Sequence, residues 1–207
     1  VIIYSTYKLT QILGSDIMLV EGGGLFLSEF YLIFPAPNAD ELISTIENVC
    51  NTKEVNNDYF EWGEHCTVDR IPLENNNFEY LLEPSIKIFG NKLEKDFDYT
   101  LYDPWLNLYK KGYFQEIHDH SGHDISCVFF ANDGIDFGKL FFIDRNSCNF
   151  SEEYEDLISY SDTHEPSVRK GDIIFFPSHV LHGVRPHKNN EIRKTLSFNF
   201  NIKEVYG

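Results

Sequence analysis

Five side chains in this sequence have the types and spacing to build a reactive site around a metal ion: His118, Asp119, His120, His182 and Arg193. His118 and His120 stand two apart on an expected strand, so their rings project to the same side. Asp119 projects to the other side; if the strand ends there or kinks, its carboxylate could ligate instead. His182 closes the run Phe-Pro-Ser-His-Val-Leu-His, after a strand and a proline turn. Three imidazoles would cap one face of an ion and leave the opposite face open. Imidazole suits iron, zinc, copper and nickel alike, while two histidines and one carboxylate with open positions mark non-haem iron(II) sites. A His-x-His pair alone also occurs on surface strands, and His65, His123, His164 and His187 show that histidine is not scarce here.

The strand expected over 192–202 places Arg193, Thr195, Ser197, Asn199 and Asn201 on one face. Ile192, Leu196, Phe198, Phe200 and Ile202 take the other, with Lys194 out of pattern. The polar face either meets water, which suits Asn199 and Asn201, or lines a hydrated pocket inside a barrel. In Trp105–Tyr109, Asn107 and Tyr109 share a face. Arg193 offers a planar fork that matches a carboxylate in two parallel hydrogen bonds.

Strands are expected at 100–102, 105–109, 114–118, 125–131, 139–144, 172–176 and 192–202, most of them separated by turn residues. That spacing predicts a sandwich or barrel. Before them, 38–50 reads as a helix with an Asn38/Glu41 capping box and a stripe of Leu42, Ile43, Ile46, Val49 and Cys50. A second helix over 78–93 is interrupted or restarted at Pro84. Residues 51–77 read as a polar, irregular loop; His65-Cys66 could ligate metal, but with no second pair nearby it reads as part of that loop. Gly22–Gly24 reads as a turn before an apolar run that stops at Phe34-Pro35-Ala36-Pro37. The acidic segment 149–165 reads as an insertion over one mouth of the barrel. One domain is expected, with 1–98 as N-terminal strands and supporting helices and 99–207 as the barrel core.

The whole chain of 207 residues carries 33 acidic against 17 basic residues, a formal charge of −16. Such a surface repels phosphate backbones and argues against general nucleic-acid binding. Aromatics reach 15%, which suits a sheet-rich fold. Four cysteines without CxxC spacing point to free thiols in a reducing compartment. No run of 18 apolar residues is present, and the first residues lack the charged start and long apolar core of a signal peptide.

From Trp105 to Ile202 the chain resembles the 2-oxoglutarate- and iron(II)-dependent oxygenase superfamily. Within it, the likeness is to prolyl-hydroxylase-like oxygenases of marine bacteria and their phages. Four pieces carry it. The first is Asn107-x-Tyr109-x-x-Gly112-x5-His118-x-His120, and the second Ser126-Cys127-Val128-Phe129-Phe130 followed by Gly138-x-Leu140-x-Phe142-x-Asp144. The third is Gly171-Asp172-x-x-x-Phe176-Pro177-Ser178-x-x-x-His182-x-Val184-x-Pro186. The fourth is Arg193-x-Thr195-x-Ser197-Phe198-Asn199, its Arg 11 residues after the distal His.

The resemblance implies a mainly β fold with flanking helices, a double-stranded β-helix (a jelly-roll or cupin-like barrel) supported by N-terminal helices. It implies that His118, His120 and His182 bind iron(II). Arg193, with Tyr109, Asn107 and Thr195, would hold the cosubstrate 2-oxoglutarate, with ascorbate as an optional auxiliary. No catalytic side chain beyond the metal site is implied. The reaction would be hydroxylation of a C–H bond in a peptide or small molecule, with 2-oxoglutarate decarboxylated to succinate. The implied location is the cytoplasm of a bacterium or infected cell, or a virion. Two positions depart from the superfamily pattern: His120 stands where Asp is usual, and Phe130 where some hydroxylases carry Tyr. Two other readings stay open, a metal-binding or structural barrel without turnover and a cupin-type three-histidine dioxygenase. The latter leaves Arg193 without a task.

Overall fold

The computed structural model describes residues 24–26, 29–52, 68–74, 78–144, 151, 153 and 163–206. Among the described residues twelve strands form two sheets. The large sheet contains β1 (Gly24–Phe26), β2 (Glu29–Pro35), β10 (Asp172–Pro177), β7 (Ile125–Phe130), β12 (Arg193–Tyr206), β5 (Trp105–Tyr109) and β3 (Asp69–Pro72) in that order. β4 (Asp96–Leu101) joins it by pairing with the C-terminal half of β12. The small sheet runs β6 (Gln115–His118), β11 (His182–Val184), β8 (Leu140–Ile143) and β9 (Thr163–His164). All pairings are antiparallel. Mainly β architecture with two flanking helices is the double-stranded β-helix expected from the sequence.

The helices are α1 (Ala39–Thr52) and α2 (Glu79–Lys92). Both bury one stripe against the large sheet. Leu42, Ile46, Leu81, Leu82, Ile86 and Phe89 meet Phe175, Leu196, Phe198 and Phe200 in one core. Phe89 stacks on Phe175 at 4.8 Å and meets Phe97 and Phe200 edge-on. The Asn38 capping box does not form: its amide donates to Leu81 O at 3.0 Å, tying the two helices, and its Oδ1 has no partner among the described residues. Pro84 neither interrupts nor restarts α2, which runs through it.

This core decides which way β12 faces. Its apolar row packs under the helices, so its polar row turns into the barrel. Arg193, Thr195, Ser197 and Asn199 are all at most 8% exposed, which excludes the water-facing alternative for them. Asn201, near the barrel end, donates instead to Tyr102 and Gly122. A second apolar cluster, Tyr31, Ile33, Phe130, Leu140, Phe142, Ile174, Phe176 and Val180, sits around the two sheets.

Three strands depart from the sequence reading, one of them β11, in the stretch read only as following a strand and a proline turn. β3 lies within the stretch read as irregular, and pairs as an edge strand on β5. An edge position tolerates Pro72, whose missing N–H needs no partner there. β9 lies inside the segment read as an insertion loop and pairs with β8; most of that segment is outside the described residues, as are His65, Cys66, Gly22 and Gly23. Cys50 and Cys127 are free thiols. Among the described residues no helix is long and apolar enough to cross a membrane.

Candidate metal centre

β6 and β11 are paired so that His118 and His182 lie directly opposite one another. Their ring centroids are 4.3 Å apart. β6 ends at His118, so His120 is not placed by strand alternation. Its backbone N–H donates to Ser178 O at 2.8 Å, which folds the chain back over the turn after β10. The His120 ring then lies 5.0 Å from that of His118 and 5.1 Å from that of His182, with Trp105 behind it at 5.8 Å. One ligand atom from each of the three falls within 4.8 Å of the others. Asp119 leaves the cluster: its Oδ1 accepts from Ser121 N at 3.2 Å and Ser121 Oγ at 2.8 Å.

Second bonds orient two of these rings. His118 Nδ1 lies 2.8 Å from Glu116 O, and His182 Nδ1 lies 2.8 Å from Val180 O. A carbonyl can only accept, so each Nδ1 carries the proton and each Nε2 presents its lone pair to the cluster. Burial pushes all three imidazoles below the usual histidine range. For His182 the neighbouring His118 and His120 add to this; for His120, pushed down to about 3, the additions come from His118 and Arg70. Neutral imidazole is the form that binds metal.

The same shifts predict how the metal-free protein responds to acid. Folded-state values below 6.5 mean that the unfolded chain binds more protons as pH falls under 6.5. Stability is therefore fully present above that point and declines below it, by about 1 kcal/mol per buried histidine per pH unit. Denaturant unfolding in EDTA should show lower stability at pH 5.5 than at pH 7.5, and His182→Asn should reduce the difference. A flat profile would show that the rings are not held neutral.

The cluster opens into a cavity lined by His118, His120, His182, Asn107, Tyr109, Thr195 and Arg193. The structure thus brings the three histidines together with Asn107, Tyr109, Thr195 and Arg193, and leaves Asp119 out. β12 lies between β5 and β7, with Arg193 opposite Tyr109 and Thr195 between Asn107 and Phe130. Arg193 is 4% exposed. Its guanidinium lies over the rings of Tyr109 at 4.8 Å and Phe130 at 5.6 Å. Burial pulls its pKa below the ordinary value, and a hydrogen bond with the Tyr109 side chain opposes this. Arg193 Nη1 is buried with no hydrogen-bond partner among the described residues. A buried cation with an unsatisfied donor is costly unless an anion joins it. The site therefore fits two absent groups, a metal ion at the imidazoles and a carboxylate at Arg193. Asn107 Nδ2 donates to Ser197 Oγ at 2.9 Å, which fixes the amide beside Thr195.

Sequence reasoning missed two lining residues, Arg70 and Gln115. Arg70 sits on β3, where the Ile71-x-Leu73 alternation is too short to signal a strand. Gln115 is hidden by a bulge. His182 pairs with His118 and Val184 with Gln115, so β6 carries one extra residue there. That insertion breaks the alternation and lets Gln115 and His118 face the same cavity.

Residues 103–199 match the family model described as "Putative 2OG-Fe(II) oxygenase". No curated protein matches the chain in sequence. Among solved structures, a 2OG-Fe(II) oxygenase family oxidoreductase from Burkholderia pseudomallei superposes with a TM-score of 0.61 at 15% identity, covering 83% of this chain and 84% of that one. HygX from Streptomyces hygroscopicus, solved with nickel and 2-oxoglutarate, gives 0.59 at 13% identity over 83% and 82%. The non-heme alpha ketoglutarate dependent epimerase SnoN from nogalamycin biosynthesis gives 0.61 at 13% identity over 84% and 78%. At these identities the likeness is one of fold. The site-bearing segment of the chain, residues 103–199, matches the 2OG-Fe(II) oxygenase family, and the fold around it is the one that family's solved structures have.

Proposed function

We propose that this protein is an iron(II)- and 2-oxoglutarate-dependent oxygenase that hydroxylates a C–H bond and releases succinate. The observation that carries the reading is Arg193, a buried guanidinium with an unpartnered Nη1, in the same cavity as three neutral imidazoles. A cupin-type three-histidine site would leave that charge unexplained. Structures of HygX with nickel and 2-oxoglutarate, and of SnoN with Fe3+ and alpha ketoglutarate, support the same pairing of groups on this fold.

In this reading His118, His120 and His182 hold the ion through Nε2 or the free ring nitrogen. Bound iron(II) and 2-oxoglutarate would supply oxygen activation and the electrons for it. Three neutral ligands leave the ion's charge uncompensated, so the dianionic cosubstrate is held partly by charge. Arg193 receives its distal carboxylate, and the hydroxyls of Thr195 and Tyr109 donate alongside. Phe130 stands where a phenol could have donated and instead packs its ring on the guanidinium. Phe176, Leu140 and Cys127 wall the cavity against water. The substrate is a small molecule or peptide segment, without general nucleic-acid binding, as the charge of −16 favours.

Anaerobic titration with iron(II) and then 2-oxoglutarate should produce a visible metal-to-ligand charge-transfer band, and admission of air should release succinate. Folded protein that gives neither band nor succinate would refute the reading.

A further inference from the structure

The barrel has two ends, and the metal cluster occupies one. β7 and β12 run between them, Phe200 opposite Ile125 at one end and Thr195 opposite Phe130 toward the other. The imidazoles belong to the Ile125 end, where His120 N donates to Ser178 O and Ser178 N to Asp124 O. Arg193 begins β12 at the opposite end. There a second cavity opens among the β7–β8 connection, residues 165–169 ahead of β10 and residues 185–188 after β11. Arg193 and Leu140 line both cavities. Phe130, whose ring packs on the guanidinium, lines the second. β7 belongs to the large sheet and β8 to the small one, so no backbone ladder joins Phe130 to Leu140.

The charge of this end is opposite to that of the chain. The described lining carries Lys139, Arg169, Arg185, Lys188 and Arg193 against Asp133, Asp136 and Glu165. The whole chain has 17 basic residues to 33 acidic. Glu165 is shared, 3.4 Å from Lys139 Nζ and 3.1 Å from Arg185 Nε, and one carboxylate cannot neutralise two cations. Arg169 and Lys188 have no ion-pair partner among the described residues. A dianion is repelled by a surface of charge −16 and attracted by this rim.

We propose that the second cavity is a dicarboxylate port: 2-oxoglutarate reaches Arg193 through it and succinate leaves by it, while the primary substrate occupies the metal end. The rim cations gather the dianion, and Arg193, common to both cavities, receives it. Rotamer changes of Leu140 and Phe130 open the way without parting a strand pair. The proposal rests on the oxygenase reading of the site and gives each ligand its own end of the barrel.

The test follows 2-oxoglutarate binding to the anaerobic iron(II)-loaded full chain by stopped flow, read as growth of the charge-transfer band. Attraction by the rim should make the association rate fall by about fivefold or more as KCl rises from about 20 to 300 mM. Repulsion by the net charge would make it rise instead. Arg169→Glu with Lys188→Glu should slow association at low salt by about fivefold or more and reverse the salt dependence, with the dissociation rate within about twofold. The milder Arg169→Gln with Lys188→Gln should fall between. Ser167, exposed on the rim, offers a plug: Ser167→Trp should slow association and dissociation by similar factors and leave Kd within about twofold. Unfolding midpoints equal to that of the unaltered protein show that the variants fold. An association rate that rises with salt, or one that both charge-altered pairs leave unchanged, overturns the proposal. Absence of any band in the unaltered protein would instead remove the oxygenase reading, and this proposal with it.

Discussion

Arg193→Met should all but abolish 2-oxoglutarate binding and at the same time make the ligand-free protein more stable. The guanidinium is 4% exposed, and nothing in the described structure carries the charge to balance it. Truncating one partner of a buried charged pair costs about 2–5 kcal/mol of binding, or roughly 30- to several-thousand-fold in Kd. In the ligand-free state the same side chain is a liability, since replacing buried charge by apolar volume often stabilises by about 1–4 kcal/mol. Methionine fits the slot between the Tyr109 and Phe130 rings and adapts to its shape. Arg193→Lys keeps the charge but loses the fork, and should fall between the two. Isothermal titration with 2-oxoglutarate and denaturant unfolding of the metal-free protein check both halves. A variant that binds 2-oxoglutarate normally would refute the role given to Arg193. One that binds poorly and is also destabilised would mean that Arg193 holds the barrel together.

His182→Asn should lower iron(II) affinity by more than about 100-fold, beyond the 10- to 100-fold seen when only a ligand's supporting bond is lost. His182 is wedged at 5% exposure between Phe176 and the other two imidazoles. Asparagine can still donate to Val180 O, so the fold is expected to survive while the metal-facing nitrogen disappears. Asp119→Asn is the matched control. Its carboxylate is bonded to Ser121 rather than aimed at the cluster, so affinity should change by no more than about threefold. Iron content after dialysis, measured with an iron(II) chelator, separates the two. Equal losses would show that Asp119 ligates and that His120 does not take the carboxylate's place.

The stretch from Trp105 to His120 shows how far local pattern reaches. β5 runs over Trp105–Tyr109 as the alternation predicts, and Asn107 and Tyr109 point into one cavity. Gly112 turns the chain between β5 and β6 at φ +86°, a conformation that glycine takes without strain. His120 lies beyond the end of its strand, so the reason for placing it with His118 differs from strand parity. A backbone bond to Ser178, distant in sequence, brings it in. Gln115 stayed hidden because the β6 bulge shifts parity by one residue. Arg70 stayed hidden because a four-residue edge strand containing proline has no periodicity to read.

By itself the sequence determined the residue types that can bind metal and carboxylate, the period-two strands that carry them, and the helices that cover the sheet. Those depend on side-chain chemistry and on local backbone preference, which neighbours in sequence report. Tertiary structure alone decided which face of β12 is inside. Both faces are buried, the apolar one under α1 and α2 and the polar one in the barrel, so polarity could not say which met water. It also decided that Asp119 turns away and that Arg70 and Gln115 enter the cavity. Each of those outcomes depends on a cross-chain hydrogen bond or a bulge register, and such pairings have no local signature.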